Sequence, residues 1–553
     1  MCGIFAYIFK TQSKTIKELE ENCRNLKNRG PDSSNFIYND IIGYYMHFYR
    51  LNIINNDSIS NQPIQNKNIK LLCNGEIFNY MDLKEELDIN EETYVSKSDC
   101  EIIIHLYDYF KKQSTVFSAK DIIDSVYNKL DGEFAFILLD EEKDMFYICR
   151  DNYGVRPLFY SISYDMEEMY FSSELKGINN LTGYTQQFPS NSCMIIDNSI
   201  KEIVSFEYIN NNNIISNKLS IYCHDYSTVL KNIREKLTES VRKRLMGSRE
   251  ICSLLSGGLD SSLVCGILTN LIGKNKLKTF SIGLKGSTDL VYARKVSDHI
   301  KSIHTEIELT ENEFLSSIEN TIKIIESYDT TTVRASVGNQ LIAKYISENT
   351  DCKIVFNGDY SDEVCAGYKY FKNCPVGDEL DTECRRLVRD IIYFDSLRSD
   401  RSISYYGLEA RVPFADKDFI EYYSNIDPFL KTSNDKMEKY ILRDAFNTVE
   451  NDDCVIPLEV LWRKKEAFSD GVSSIERSWH NIIKEYMDSI MSDEYFNCNK
   501  DLYKHNTPQT KEQLYYREIF CKYYGEGNSN VIPYFWMPKW CDSTLKDPSA
   551  REI

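Results

Sequence analysis

Two short stretches of this sequence carry residue types that could do chemistry. The first is Cys2, directly after the initiator methionine. Removal of Met1 would leave its thiol beside a free α-amine. An unperturbed α-amine has a pKa of about 8, near enough to neutrality to act as base for its own thiol. No separate histidine is then needed. Alone this is a weak signal, because most cysteines at position 2 are incidental. The second stretch is Ser256-Gly257-Gly258-Leu259-Asp260-Ser261-Ser262. It lacks the lysine of a GxxxxGK[ST] loop. Successive N–H groups after two glycines, serine hydroxyls and a helix start still make a cradle for an anion.

These groups need elements to hold them. Residues 1–204 read as strand-rich, with short apolar or alternating runs such as CGIFAYIF, IKLLCNGEIF and EFAFILLD separated by Asn-Gly and Asp-Gly turn signals. Helices are expected at about 15–26 and 99–112. The order implies packed, mainly antiparallel sheets with helices outside. Arg29-Gly30-Pro31-Asp32 reads as a turn after a helix, and Arg50 ends an aromatic strand. Asn74-Gly75 reads as a turn dipeptide, and Ser98-Asp99 opens a helix. Residues 205–226 are polar and Asn-rich and read as a connection between domains. From 227 to 545 strands alternate with helices, as in a parallel wound sheet, and the chain turns mostly helical beyond about Gly377. Residues 546–553 read as a fraying tail.

Composition narrows the partners. At 553 residues the chain is too long for one ordinary domain. A net charge of −19 argues against a nucleic-acid surface, which needs basic clusters. The 17 cysteines form no C-x-x-C pair, which suits reduced thiols in a cytoplasmic setting better than a disulfide framework or a zinc site. No apolar run approaches eighteen residues, so no membrane span is expected. The N-terminus lacks a basic n-region and does not read as a signal peptide.

Read together, MCGIF, RGPD, YRL, NGEIFN, Ser98-Asp99 before a helix, DGEFAF and RDNYGVRPLFY resemble the glutaminase domain of class II glutamine amidotransferases over roughly the first 200 residues. The second half resembles the synthetase domain of asparagine synthetases through LLSGGLDSSLV, TFSIGL, ESYDTTTVRAS, SDEVCAGYKYF, LEARVPF, LWRKKEAFSDG and the terminal WMPKW and DPSAR. The resemblance implies an α+β, Ntn-type N-terminal domain of αββα layers with two antiparallel sheets. It implies an α/β ATP-pyrophosphatase domain after it.

It also implies roles. Cys2 would attack the glutamine amide and form a thioester, with Asn74 and the Gly75 N–H holding the oxyanion. Arg50 would fork onto the α-carboxylate, with Glu76 and Asp99 on the α-ammonium. In the second half, Leu254, Ser256, Gly257, Gly258, Asp260, Ser261, Ile282 and Gly358 would surround ATP. Asp260 and Asp362 would hold Mg²⁺, and Lys465 would stabilise phosphoryl charge. Thr331 and Arg334 correspond to the aspartate-holding segment, with Asp395 and Arg398 in the matched stretch behind it. Arg29 and Glu363 match the ammonia path. The implied reaction joins L-aspartate and ATP as β-aspartyl-AMP, which ammonia from L-glutamine then converts to L-asparagine. The resemblance allows a homodimer.

Some positions depart from the pattern. Asn28, Tyr49 and Lys97 replace common residues beside RGPD, RL and Ser-Asp. In the loop Asn357-Gly358-Asp359-Tyr360-Ser361-Asp362-Glu363 the family commonly reads SGEGSDE. Asp359 there replaces a catalytic-site glutamate and is shorter by one methylene, and Tyr360 replaces a glycine. Two alternatives stay open: an amidotransferase acting on another carboxylate, and a glutamine-binding or glutaminase protein with a silent second half.

Overall fold

The computed structural model describes the chain apart from residues 114–117, 182, 210–224, 376, 432–436, 449–453, 467, 475, 542–545 and 549–553. Two compact units divide it. The first comprises Met1–Asn212 with Met246–Arg249 and Ser404–Leu408; the second comprises Asn213–Leu245, Glu250–Ile403 and Glu409–Ile553.

The first unit is built from two six-stranded antiparallel sheets. One runs, edge to edge, Tyr184–Gln187, Phe159–Ile162, Glu168–Ser172, Gly3–Phe9, Tyr44–Arg50 and Ser33–Asn39. The other runs Glu202–Tyr208, Ser192–Asp197, Met145–Arg150, Gly132–Asp140, Ile69–Ile77 and Ile64–Asn66. Alternation decides which faces meet. Ile4, Ala6 and Ile8 from one sheet and Leu72, Ala135, Ile137 and Leu139 from the other share one buried core. On the far face of the second sheet, Cys73, Phe134 and Phe136 pack with Ile103, Leu106 and Tyr107 from the helix Ile102–Gln113, and with Ile123 and Val126 from the helix Ala119–Lys129.

Local sequence explains the helix starts. Thr15 caps Ile16–Arg24 in a capping box with Glu18, where a helix was expected from about residue 15. Ser98 caps the turn Asp99–Glu101 that leads into Ile102–Gln113, which leaves the Asp99 carboxylate for another task.

Three expectations need correcting. Asn74-Gly75 is no turn: both residues lie inside the strand Ile69–Ile77, facing Ala135 and Phe134. The glycine serves close approach instead, since a Cβ at Gly75 would sit 2.3 Å from the Glu133 carbonyl. The strand Glu202–Tyr208 runs into the stretch read as a connection, pairing with Ser192–Asp197; residues 210–224 of that stretch lie outside the described residues. Asp547, placed in the fraying tail, is held by Arg334.

The second unit contains a five-stranded parallel sheet in the order Ile303–Leu309, Lys278–Leu284, Ile251–Leu254, Ile354–Phe356, Glu409–Arg411. The last strand falls in a region that reads as helical. The helices Leu259–Ile272, Thr288–Ile300 and Thr330–Asn349 lie between strands in sequence, as parallel pairing requires. Among the described residues no helix is long and apolar enough to cross a membrane, and the cysteines are free thiols.

Candidate active sites

In the first unit, Cys2 precedes the strand Gly3–Phe9 and its Sγ lies 3.8 Å from the Leu51 carbonyl. Asn74 reaches it from the neighbouring sheet. Its Oδ1 accepts the Cys2 N–H at 3.0 Å, while its Nδ2 is buried with no hydrogen-bond partner among the described residues. A buried donor left unpaired is costly unless a ligand completes it. One next to a thiol suits the oxyanion of an acyl intermediate.

One cavity gathers Cys2, Arg50, Gly75, Glu76 and Asp99. Asp99 Oδ2 accepts the Ile77 N–H at 2.8 Å, so it is tied to the strand carrying Asn74 and Glu76. Arg50 donates to the Asp57 and Asn55 carbonyls at 2.6 and 2.8 Å, and to the side chains of Asn61 and Asn55. These are neutral acceptors. A substrate carboxylate makes hydrogen bonds roughly twice as strong and can compete with them. Burial lowers the Arg50 pKa, and nearby acidic groups oppose this. Arg29 is buried, donating to the Cys2 carbonyl at 2.8 Å and to Glu174 at 2.7 Å.

In the second unit the strand Ile251–Leu254 delivers the chain into the glycine turn. Gly257 has φ +69°, and a Cβ there would meet the Ala293 nitrogen at 2.4 Å, so the position needs glycine on both counts. Gly258 precedes the helix Leu259–Ile272 without a side-chain cap, leaving the first N–H groups for an anion. Ser256 and Ser261 hydroxyls meet at 3.0 Å across the turn.

A single cavity is lined by Leu254, Ser256, Gly258, Asp260, Ser261 and Ile282 on the loop side and by Gly358, Asp359, Asp362, Glu363 and Lys465 opposite. Gly257 belongs to the same turn but not to the lining. The cavity also receives Asp289, Asn339, Arg398, Lys439 and Arg463, which sequence reasoning did not assign to ATP or metal. Lys439 is the most consequential of them. Its ammonium, 1% exposed, bridges Asp260 and Asp362 and touches Ser361 Oγ at 3.0 Å. A Cβ at Gly367 would sit 2.0 Å from Lys439 Cε and 2.1 Å from Asp362 Oδ1, so a side chain there would push the bridge aside.

Burial opposes the charge on Asp362, but Lys439 and Lys465 overcome it and hold its carboxyl well below the usual range. Burial raises Glu363 well above the usual range, and Asp395 adds to this; Tyr368 donates to it at 2.5 Å. Burial also raises Asp359, against the pull of Arg398.

Among the described residues no group of three or more His, Cys, Asp or Glu is arranged to hold a metal. Mg²⁺ on a nucleotide does not need one. It takes most of its oxygens from phosphates and water and one or two from carboxylates. Asp260 and Asp362 supply that donor type inside the cavity.

Thr331 and Arg334 are not brought to the cavity. Thr331 donates to Asp329 at 2.7 Å. Arg334 spends four of its five N–H donors on carboxylates: Glu512 at 2.8 and 2.5 Å, and Asp547 at 2.9 and 2.7 Å. A guanidinium already forked twice by charged partners has no edge for a third carboxylate. The expected aspartate-holding role of Arg334 therefore does not fit its geometry. Its helix, Thr330–Asn349, instead sends Asn339 and Ile342 to the cavity wall.

Known proteins match both halves. A family model described as glutamine amidotransferase domain matches residues 1–221. One described as asparagine synthase matches residues 232–379 and 372–541. The fold and the two family matches thus define a glutamine amidotransferase domain joined to an asparagine synthase domain. An asparagine synthetase (glutamine-hydrolyzing) from Gallus gallus is 38% identical over 579 residues, covering 100% of this chain and 98% of its own. A probable asparagine synthetase from Acanthamoeba polyphaga mimivirus is 37% identical, covering 100% and 99%. The one from Homo sapiens is 36% identical, covering 100% and 98%. The chain belongs to the glutamine-hydrolysing asparagine synthetase family.

Proposed function

We propose that this chain makes L-asparagine from L-aspartate, ATP and L-glutamine, releasing AMP, pyrophosphate and L-glutamate, in the cytoplasm and as a homodimer. The observation that carries the reading is the second unit's cavity, where an uncapped glycine turn faces Asp359, Asp362 and Lys465.

In the first unit Cys2 attacks the glutamine amide carbon. Asn74 Nδ2, with the Gly75 N–H, meets the developing oxyanion. Arg50 holds the α-carboxylate, and Glu76 and Asp99 hold the α-ammonium. Ammonia leaves, and water releases glutamate from the thioester. Removal of Met1 would set the free amine of Cys2 against Asn74 Oδ1, where the amide N–H now lies.

In the second unit the loop Ser256–Ser261 holds the pyrophosphate end of ATP, with Leu254, Ile282 and Gly358 around the adenosine. Asp260 and Asp362 would hold Mg²⁺, which supplies charge neutralisation at the departing pyrophosphate. Lys465 stabilises the phosphoryl group as the aspartate β-carboxylate attacks it. Arg334 supports the helix that brings Asn339 to the wall, and Asp359 stands at the reacting end on Arg398. Ammonia from the first unit then displaces AMP, with Arg29 and Glu363 on its path.

The test is to supply aspartate, ATP, Mg²⁺ and either glutamine or ammonium, and to measure asparagine and pyrophosphate. Wild type forms both products from either nitrogen source, and Cys2→Ala does so from ammonium alone. Glutamate without asparagine or pyrophosphate would overturn the reading.

A further inference from the structure

The loop that carries Asp359 turns through a conformation that suits glycine, and an aromatic residue occupies it. Tyr360 has φ 75° and ψ −17°. A residue with a Cβ is disfavoured in that region. Such strain persists only where the surroundings enforce it.

The enforcing contacts come from one helix, Asp395–Ser404. The hydroxyl of Tyr360, a buried residue 1% exposed, donates to Ser396 Oγ at 3.0 Å. Asn357 Nδ2 donates to Ser399 Oγ at 2.8 Å. Between these two, Arg398 Nη2 donates to Asp359 Oδ1 at 2.6 Å. Residues 396 and 399 stand three apart and share a helix face. The loop is therefore fastened to one helix turn at three points, with Asp359 between the outer two.

We infer that Tyr360 is a positioning residue for the synthetase step: anchored on Ser396, it holds the left-handed turn that sets the Asp359 carboxylate on Arg398 at the cavity wall. An aspartate side chain is short, so the backbone decides where its carboxylate stands. A displacement of about 1 Å at a reacting centre costs on the order of a hundredfold in rate. The inference rests on the asparagine-forming reading above.

The test compares wild type, Tyr360→Phe, Tyr360→Gly, Asp359→Ala and the double variant Asp359→Ala/Tyr360→Phe. Asparagine formation is driven by ammonium, so that the first unit's chemistry is bypassed. Amide hydrogen exchange is followed over residues 357–363. Tyr360→Phe keeps the ring and loses only the anchor. It lowers kcat about tenfold, leaves KM for ATP within about twofold and speeds exchange in the loop. In the Asp359→Ala background the same change has no further effect on kcat, because Tyr360 acts through Asp359. Tyr360→Gly falls further than Tyr360→Phe although glycine relieves the strain; if it fails to fold, Tyr360→Phe decides. Unchanged kcat in Tyr360→Phe, or an equal loss with and without Asp359, overturns the inference. A wild type that forms no asparagine from either nitrogen source sinks the asparagine reading instead. The inference then stands or falls on loop exchange, which must be faster in Tyr360→Phe than in wild type.

Discussion

Lys439 Nζ donates to both carboxylate oxygens of Asp260, at 2.8 and 2.7 Å. The same ammonium lies 2.5 Å from Asp362 Oδ1. It therefore joins the glycine-turn side of the cavity to the opposite loop, and it stands between the two carboxylates proposed to meet Mg²⁺. Burial works against its charge, but the two carboxylates raise its pKa above the ordinary lysine value, so it stays protonated.

Replacing Lys439 with Met removes that charge and leaves two carboxylates facing each other in a half-buried site. Breaking a buried ion pair from one side costs about 3–5 kcal/mol. Lys439→Met is expected to lower the urea midpoint accordingly and to abolish aspartate-dependent pyrophosphate release. Glutamine hydrolysis, which belongs to the other unit, stays within about twofold of wild type. A variant with unchanged stability would mean that the bridge contributes nothing to the fold.

Asn74 is expected to separate two jobs held by one amide. Asn74→Asp retains an oxygen for the Cys2 N–H but removes the Nδ2 donor. Loss of one oxyanion donor costs roughly 10²–10³ in kcat. Glutamate release should fall by at least that factor, while asparagine formation from ammonium persists. Equal loss from both nitrogen sources would place Asn74 outside the glutaminase chemistry.

Motif residues were legible where the chemistry is written locally. The turn before Leu259–Ile272 could be read because strand, glycines and helix follow one another directly. What spans the chain could not. Lys439 reaches Asp260 across 179 positions and comes from a stretch that carries none of the recognised motifs. Asn74-Gly75 reads as a turn in sequence and is strand in the fold, because glycine serves both turns and close backbone approach. The motif around Arg334 points to aspartate, but a partner that occupies the guanidinium, Asp547, lies 213 positions further on. Strand alternation, a purely local signal, indicated mainly antiparallel pairing, while the division into two sheets came from the family resemblance.

Arg334 offers a direct comparison of support against substrate binding. Arg334→Met strands Glu512 and Asp547, both largely buried, and should cost about 3–5 kcal/mol in stability. The milder Asp547→Asn keeps the shape and removes one charge. It should lower the melting temperature while leaving KM for aspartate within about twofold. A fall in KM for aspartate would mean that Asp547 competes with substrate, and would restore Arg334 to the binding site.

Asp289 gives the second unit a pH dependence with a defined sign. Its side chain is 7% exposed, and burial pushes its pKa up to about 7, although Arg463 at 3.0 Å pulls the other way. In the unfolded chain the same carboxyl loses its proton near pH 4. Between those values the folded state binds more protons than the unfolded state, so this group makes stability fall as pH rises. The slope is about 1.4 kcal/mol per pH unit until the folded pKa is passed, and then flat. Asp289→Asn cannot titrate. Measured by urea midpoints at pH 5, 6, 7 and 8, the variant should gain on wild type steadily from pH 5 to 7 and hold a constant difference above that. The gain comes on top of a fixed offset from exchanging a carboxyl for an amide, while Arg463 still pairs with Glu466 at 2.9 Å. A difference that does not change with pH would show that Asp289 is ionised throughout, and that Arg463 outweighs its burial.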